Sequence, residues 1–209
     1  MKVEIRDDVV LIDGYVNAVE RDSKVLRDAS GSFIEKIKAG VFQRALERAK
    51  RTSYDVKVLL NHDYGRELTS TRDTATKIFE DSIGLRCKCE IRDAEVVQKA
   101  RENKLVGWSF GFIPIKEAWT DGENEVQHRE IRELELKEVS ILDNTKIPAY
   151  NGTSIETRSE QMEDLIEIRM VNDEIETEDL STHKEDHEED PLPFTDNFEW
   201  ENRYMATRV

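Results

Sequence analysis

The chain of 209 residues lacks any long apolar run. Its longest uninterrupted stretch is Val9-Val10-Leu11-Ile12. A membrane-spanning helix needs about 20 mostly apolar residues, so no bilayer crossing is expected. The opening Met1-Lys2-Val3-Glu4-Ile5-Arg6-Asp7-Asp8 has no apolar core of the kind a secretory signal carries, which makes the cytosol the default location. Cysteine is scarce as well. Cys87 and Cys89 are the only two, and they lie two residues apart. On a strand they would share a face as reduced structural thiols, and two cysteines alone make no metal site. Positive charge is also in deficit, with 31 Lys and Arg against 46 Asp and Glu for a formal net charge of −15. That balance argues against nucleic acid as a direct partner, because phosphate contacts need a positive surface.

The negative charge is concentrated in the last quarter. Residues 1–155 carry 28 acidic and 26 basic side chains, whereas residues 156–209 carry 18 and 5. The run Glu185-Asp186-His187-Glu188-Glu189-Asp190 is followed by Pro191-Leu192-Pro193. Dense like charge with few apolar residues predicts a solvated, largely disordered tail. Within it, Glu160 to Val171 places Met162, Leu165, Ile166 and Met170 near helical spacing, which suggests a short amphipathic helix able to pair with another chain. The expected division is a folded domain over 1–155 and an acidic tail over 156–209. The tail is either a plain solvated segment or one that meets a basic partner.

Inside the folded part, Val9 to Val19 reads as strand, Val41 to Lys50 as a helix with a Val41, Phe42, Ala45, Leu46, Ala49 stripe, and Asp55 to Leu60 as strand. Thr69 to Phe79 suits a strand or hairpin. Gly84 to Ile91 alternates Leu85, Cys87, Cys89 and Ile91 against Arg86, Lys88 and Glu90, the clearest half-buried strand. Ala94 to Lys104 reads as a helix capped by Asp93. Gly107 to Ile115 and Ile131 to Leu142 read as strands. The expected class is α+β, mainly β: an antiparallel barrel-like core of about six strands flanked by helices.

Three places carry candidate chemistry. Gly107-Trp108-Ser109-Phe110-Gly111 matches GxSxG, but an α/β-hydrolase elbow runs strand, turn, helix. Here a helix precedes and a strand follows, so Ser109 is either a nucleophile on another scaffold or a structural strand serine. His62, the only histidine in the first 127 residues, sits where an apolar strand ends, between Asn61 and Asp63. Imidazole is the natural general base for a serine hydroxyl. Glu138 falls, by strict alternation, on the face of Leu134 and Leu136, where an apolar side chain is expected. A carboxylate there needs a partner, which could be an imidazole or a neighbouring cation. His183 and His187 are four apart, but two ligands inside the acidic tail make a weak metal site. No cofactor or metal is expected.

In sequence, these pieces resemble the tailed-phage prohead (head maturation) proteases, relatives of the herpesvirus assemblins. The resemblance runs through Asp13-Gly14-Tyr15, Gly40-Val41-Phe42 and Leu59-Leu60-Asn61-His62-Asp63. It continues through Ile83-Gly84-Leu85, Gly107-Trp108-Ser109-Phe110-Gly111-Phe112 and Leu136-Lys137-Glu138-Val139-Ser140-Ile141, and spans roughly residues 5–150. The resemblance implies a serine endopeptidase with His62, Ser109 and Glu138 as triad. Its substrates would be the scaffold region and the major capsid precursor, cut inside the prohead in the host cytoplasm, together with the enzyme itself. It also allows self-association. The family pattern usually passes quickly from Glu-Val-Ser to Pro-Ala; here Asp143-Asn144-Thr145-Lys146-Ile147 intervenes before Pro148-Ala149. The assemblins use a second histidine as third member, which makes His128 the reserve for Glu138. The alternative function is a non-catalytic capsid assembly or scaffolding module.

Overall fold

A computed structural model describes residues 1–28, 31–122, 126–146, 157–158, 166–172 and 174–181. Among these residues the protein is mainly β, with two helices. One sheet holds β1 (Lys2–Arg6), β2 (Val9–Ala18), β7 (Lys77–Glu80), β8 (Gly84–Ile91) and β13 (Glu176–Asp179), in the order β13-β1-β2-β8-β7. The other, a curled half-barrel, is built on two long strands, β9 (Leu105–Thr120) and β10 (Val126–Asp143). They pair antiparallel along nearly their whole length. Beside β10 lie β4 (Gly31–Ile37) and then β3 (Leu26–Asp28); beside β9 lie β12 (Ile166–Asn172) and then β11 (Thr157–Arg158). β5 (Lys57–Leu60) joins the C-terminal half of β10 and carries β6 (Asp63–Ser70).

The strand segments read from alternation are present, but they are parts of a larger set. The strand or hairpin expected over Thr69 to Phe79 is divided between the end of β6 and the start of β7. The short β1, β3 and β4 were not separable by pattern. Among the described residues three pairings are parallel: β1 with β13, β10 with β4, and β10 with β5. β4 and β5 both lie along β10 because α1 (Val41–Arg51) carries the chain back between them in a crossover.

The helix α1 buries the expected stripe of Val41, Phe42, Ala45, Leu46 and Ala49. Phe42 meets Phe110 of β9 edge-on at 5.5 Å, and Phe110 stacks on Phe112 at 5.4 Å. Trp108, Phe110 and Phe112 alternate along β9, so all three enter the core while Ser109 and Gly111 face the other way. Full burial of each such side chain is worth about 1.5–3 kcal/mol. The second helix, α2 (Ala94–Arg101), begins as expected at Asp93, whose side chain accepts from the Glu95 and Val96 N–H groups. It ends three residues earlier than the sequence suggested. Cys87 and Cys89 are free and buried on one face of β8, and burial, then the Cys89 contact, pushes the Cys87 thiol up.

One expectation is reversed. The amphipathic helix proposed over 160–171 is replaced at Ile166–Asn172 by strand β12; residues 160–165 lie outside the described residues. Ile166, Ile168 and Val171 are β-branched, and the edge of β9 offers unpaired backbone groups, so a strand satisfies more of the segment than an isolated helix would. β12 and β13 join separate sheets, so residues 166–181 of the acidic quarter pair with the folded core. The acidic run at 185–190, with His183 and His187, lies outside the described residues. No described helix is long and apolar enough to cross a membrane.

Candidate active site

The loop between β5 and β6 is a two-residue turn. Leu60 pairs with Asp63, and the residues between them, Asn61 and His62, both have positive φ, 56° and 61°. This is the pattern of a type I′ hairpin, whose backbone twist suits the flanking strands. Asparagine tolerates the left-handed region, whereas histidine does so at some cost. Two contacts hold Asn61 in place: its N–H donates to the Ile141 carbonyl at 2.9 Å, and its Oδ1 accepts from the Asp143 N–H at 3.1 Å. His62 is thereby fixed against β10 and is only 6% exposed.

The His62 ring meets Glu138. Nδ1 lies 2.8 Å from Glu138 Oε1. A carboxylate can only accept, so Nδ1 is the donor, and in the neutral ring Nε2 then presents a lone pair. That Nε2 is buried and has no hydrogen-bond partner among the described residues. Ser140 completes the arrangement: its Oγ donates to Glu138 Oε2 at 2.5 Å and accepts from the His62 backbone N–H at 3.1 Å. Each carboxylate oxygen therefore has its own donor, which compensates for a group only 1% exposed. Burial first, then the Glu138 charge, pushes the nearby Tyr64 phenol above its ordinary value.

The strict alternation assumed for Glu138 does not hold. Between Leu136 and Glu138 the register with β9 shifts: Leu136 pairs with Phe112, and Glu138 with the adjacent Gly111. Lys137 is the extra residue of a β-bulge. The bulge turns Glu138 away from the Leu134 and Leu136 face and toward His62, while Val139 takes the core position opposite Phe110. Gly111 makes the space. A Cβ there would lie 2.7 Å from Glu138 Oε1 and 3.1 Å from Ile166 Cγ2.

Ser109 pairs with Ser140 across β9 and β10, two residues along from the Gly111–Glu138 pair, so all four share one face. Ser109 is completely buried, and its Oγ donates to the Arg169 carbonyl of β12 at 2.8 Å. The structure thus joins His62 to Glu138 directly and sets Ser109 on the same sheet face, beside β12. His128 is elsewhere: it is exposed opposite Thr120, ten residues up β10, roughly 30 Å along a strand.

Sequence reasoning missed Ser140, Asn61 and Gly111. Ser140 was findable, because it stands two residues from Glu138 on an alternating strand. Below the site, Asp143 is held down to about 2. Burial opposes this, but Lys99, Thr145 and Asn61 together outweigh it through hydrogen bonds. Among the described residues no cluster of three His, Cys, Asp or Glu side chains could hold a metal ion.

No curated protein and no solved structure matches the chain. A family model does, that of the caudovirus prohead serine proteases, over residues 1–167. Most of the chain, including β5, β9 and β10, lies within that match; the chain belongs to the caudovirus prohead serine proteases and is a serine peptidase of phage capsid maturation.

Proposed function

We propose that Ser109, His62 and Glu138 are the nucleophile, general base and orienting acid of a serine endopeptidase that cuts the scaffold region and major capsid precursor. The observation that supports this reading most is the buried His62 ring. Its Nδ1 is committed to Glu138 and its Nε2 has no partner among the described residues. A neutral imidazole held in one tautomer, with its basic nitrogen free, is what proton abstraction from a hydroxyl requires.

Catalysis requires Ser109 Oγ to exchange the Arg169 carbonyl for His62 Nε2 as acceptor. The hydroxyl oxygen then attacks the scissile carbonyl carbon as its proton passes to Nε2. Glu138 stabilises the imidazolium that results. Nε2–H protonates the leaving amine, giving an acyl-enzyme on Ser109, and a water activated by His62 releases the acid. Ser140 supports the acid by holding Oε2, which leaves Oε1 to His62.

The protease works within the prohead, and the chain also cuts itself, shedding the acidic segment from about residue 156. The test is Ser109→Ala in an infected or reconstituted assembly reaction. The expected result is a folded protein with precursor and protease both uncut. Normal processing in that variant would remove Ser109 from the nucleophile's role.

A further inference from the structure

Strand β12 has the geometry of a bound peptide. It lies antiparallel along Gly107 to Phe112 of β9, and among the described residues its other side carries only the two-residue β11. Its backbone reaches the candidate nucleophile, because the Arg169 carbonyl accepts from Ser109 Oγ at 2.8 Å. The Arg169 side chain enters a buried acidic site. Its Nε and Nη2 donate to Glu35 Oε1 and Oε2, both at 2.7 Å, in a two-pronged contact. Nη2 also reaches Glu167 Oε2 at 2.6 Å, and Nη1 the Ile168 carbonyl at 3.0 Å. The guanidinium covers the Phe112 ring at 5.2 Å.

Receptor and ligand come from different parts of the chain. Glu35 stands on β4, and Arg129 of β10 donates to it at 3.0 Å. Arg129 is itself engaged by Glu117 and Glu167. Glu35 is 4% exposed, yet one of its two arginine partners belongs to a strand held on the edge of β9 by main-chain pairing, packing and the ion pairs of Arg169 with Glu35 and of Glu167 with Arg129. A buried carboxylate met by both prongs of a guanidinium selects arginine, since a lysine ammonium cannot match the fork. The family match ends at residue 167, so Glu35 and β9 lie inside it while Arg169 lies beyond it.

We propose that the β9 edge from Gly107 to Phe112, with Glu35 of β4 beside it, is the docking site for an extended substrate peptide whose arginine pairs with Phe110 and turns its carbonyl to Ser109, and that Glu167 to Val171 is its resident occupant. The inference rests on the reading of Ser109 as nucleophile. Main-chain pairing supplies affinity and Glu35 supplies the choice of residue, as in other strand-addition sites. While β12 is in place, substrate is excluded and the enzyme is latent. Transient release of β12 from the β9 edge admits the first cut, and loss of the segment from about residue 156 then removes the strand and leaves the site open.

The test measures binding rather than cleavage. Full-length protein carrying Ser109→Ala is titrated into a fluorescent peptide of the sequence of residues 164–174. With β12 intact the peptide should be excluded. Loosening the strand by Arg169→Ala, or by Ile168→Asp outside the charge cluster, should admit it. The same peptide with alanine for arginine should bind at least about 10-fold more weakly. Equal binding of the two peptides, or no binding by a loosened chain that keeps its circular dichroism, overturns the proposal. A measurement without variants stands beside it: amides of residues 167–171 should exchange with deuterium faster than those of the β9–β10 pair, and equal protection overturns the latent-strand reading. Ser109 is absent from the binding arms, so their failure is distinct from continued capsid cutting by Ser109→Ala, which would sink the proposed function alone.

Discussion

Gly111 stands opposite Glu138 with no room for a side chain: a Cβ would come within 2.7 Å of the carboxylate Oε1, the same oxygen that accepts from His62 Nδ1 at 2.8 Å. The second glycine of the Gly-Trp-Ser-Phe-Gly motif therefore shapes the site by the volume it leaves empty. Gly111→Ala should push the carboxylate off the imidazole. A displacement of about 1 Å at such a group costs about 100-fold in rate. Capsid-precursor cleavage should fall by that order, and the crowding should also cost about 1–3 kcal/mol in stability without unfolding the protein. Unchanged cleavage would mean the Glu138–His62 contact does not matter to the reaction.

Ser140 and Glu138 should separate in their effects. Glu138→Gln removes the charge that stabilises the imidazolium and no longer dictates which ring nitrogen carries the proton; cleavage should fall about 1,000-fold or more. Ser140→Ala removes one donor to Oε2 and one acceptor for the His62 N–H, with an expected cost of about 1–3 kcal/mol in stability and a smaller loss of rate. Parallel cleavage assays and denaturant titrations distinguish the two. A larger rate defect in the Ser140 variant would reverse the assignment of acid and support.

Asn61 sets the turn that carries His62. Asn61→Gly keeps the positive φ and loses the Oδ1 acceptor for Asp143 N–H together with the side chain's hydrogen bond to the Asp143 carboxyl, at a cost of about 1–2 kcal/mol. Asn61→Val forces a β-branched residue into the left-handed region and should cost more, by about 1–3 kcal/mol, with lower cleavage as His62 shifts. Equal stability of the two variants would show that the turn does not impose this backbone.

Asp143 gives the fold an acid limit. Its carboxyl is lowered from 3.8 to about 2, a contribution of about 2 kcal/mol to stability. A depressed folded-state value means this contribution is complete above the unfolded value near 3.8, and is lost as pH falls from there through about 2. Asp143→Asn should therefore weaken the protein near neutrality and differ progressively less from the parent below pH 4. Urea titrations at pH 7 and pH 3 check it; a gap that stays constant would assign the loss to packing.

Much of the architecture was legible because burial on a sheet leaves a period of two. The alternation of Leu85, Cys87, Cys89 and Ile91, and the helical stripe from Val41 to Ala49, are local signals that packing had no reason to override. The candidate triad was also named from sequence, by the order of its motifs. What sequence could not carry were events depending on a second strand. The Lys137 bulge exists only relative to β9, so strict counting placed Glu138 on the wrong face. The helix read over 160–171 is a strand at Ile166–Asn172, because an open edge and a buried carboxylate at Glu35 offered its backbone and Arg169 better partners than a helix could.

By itself, then, the amino-acid order determined a mainly β chain with a histidine at a strand end, a serine within a strand and a strongly acidic last quarter. Only the tertiary structure decided that Glu138 reaches His62 and that Ser109 donates to the Arg169 carbonyl. The reason is physical: periodic burial is written along one segment, whereas a bulge, a cleared volume at Gly111 and an arginine in an acidic site are relations between segments far apart in the chain.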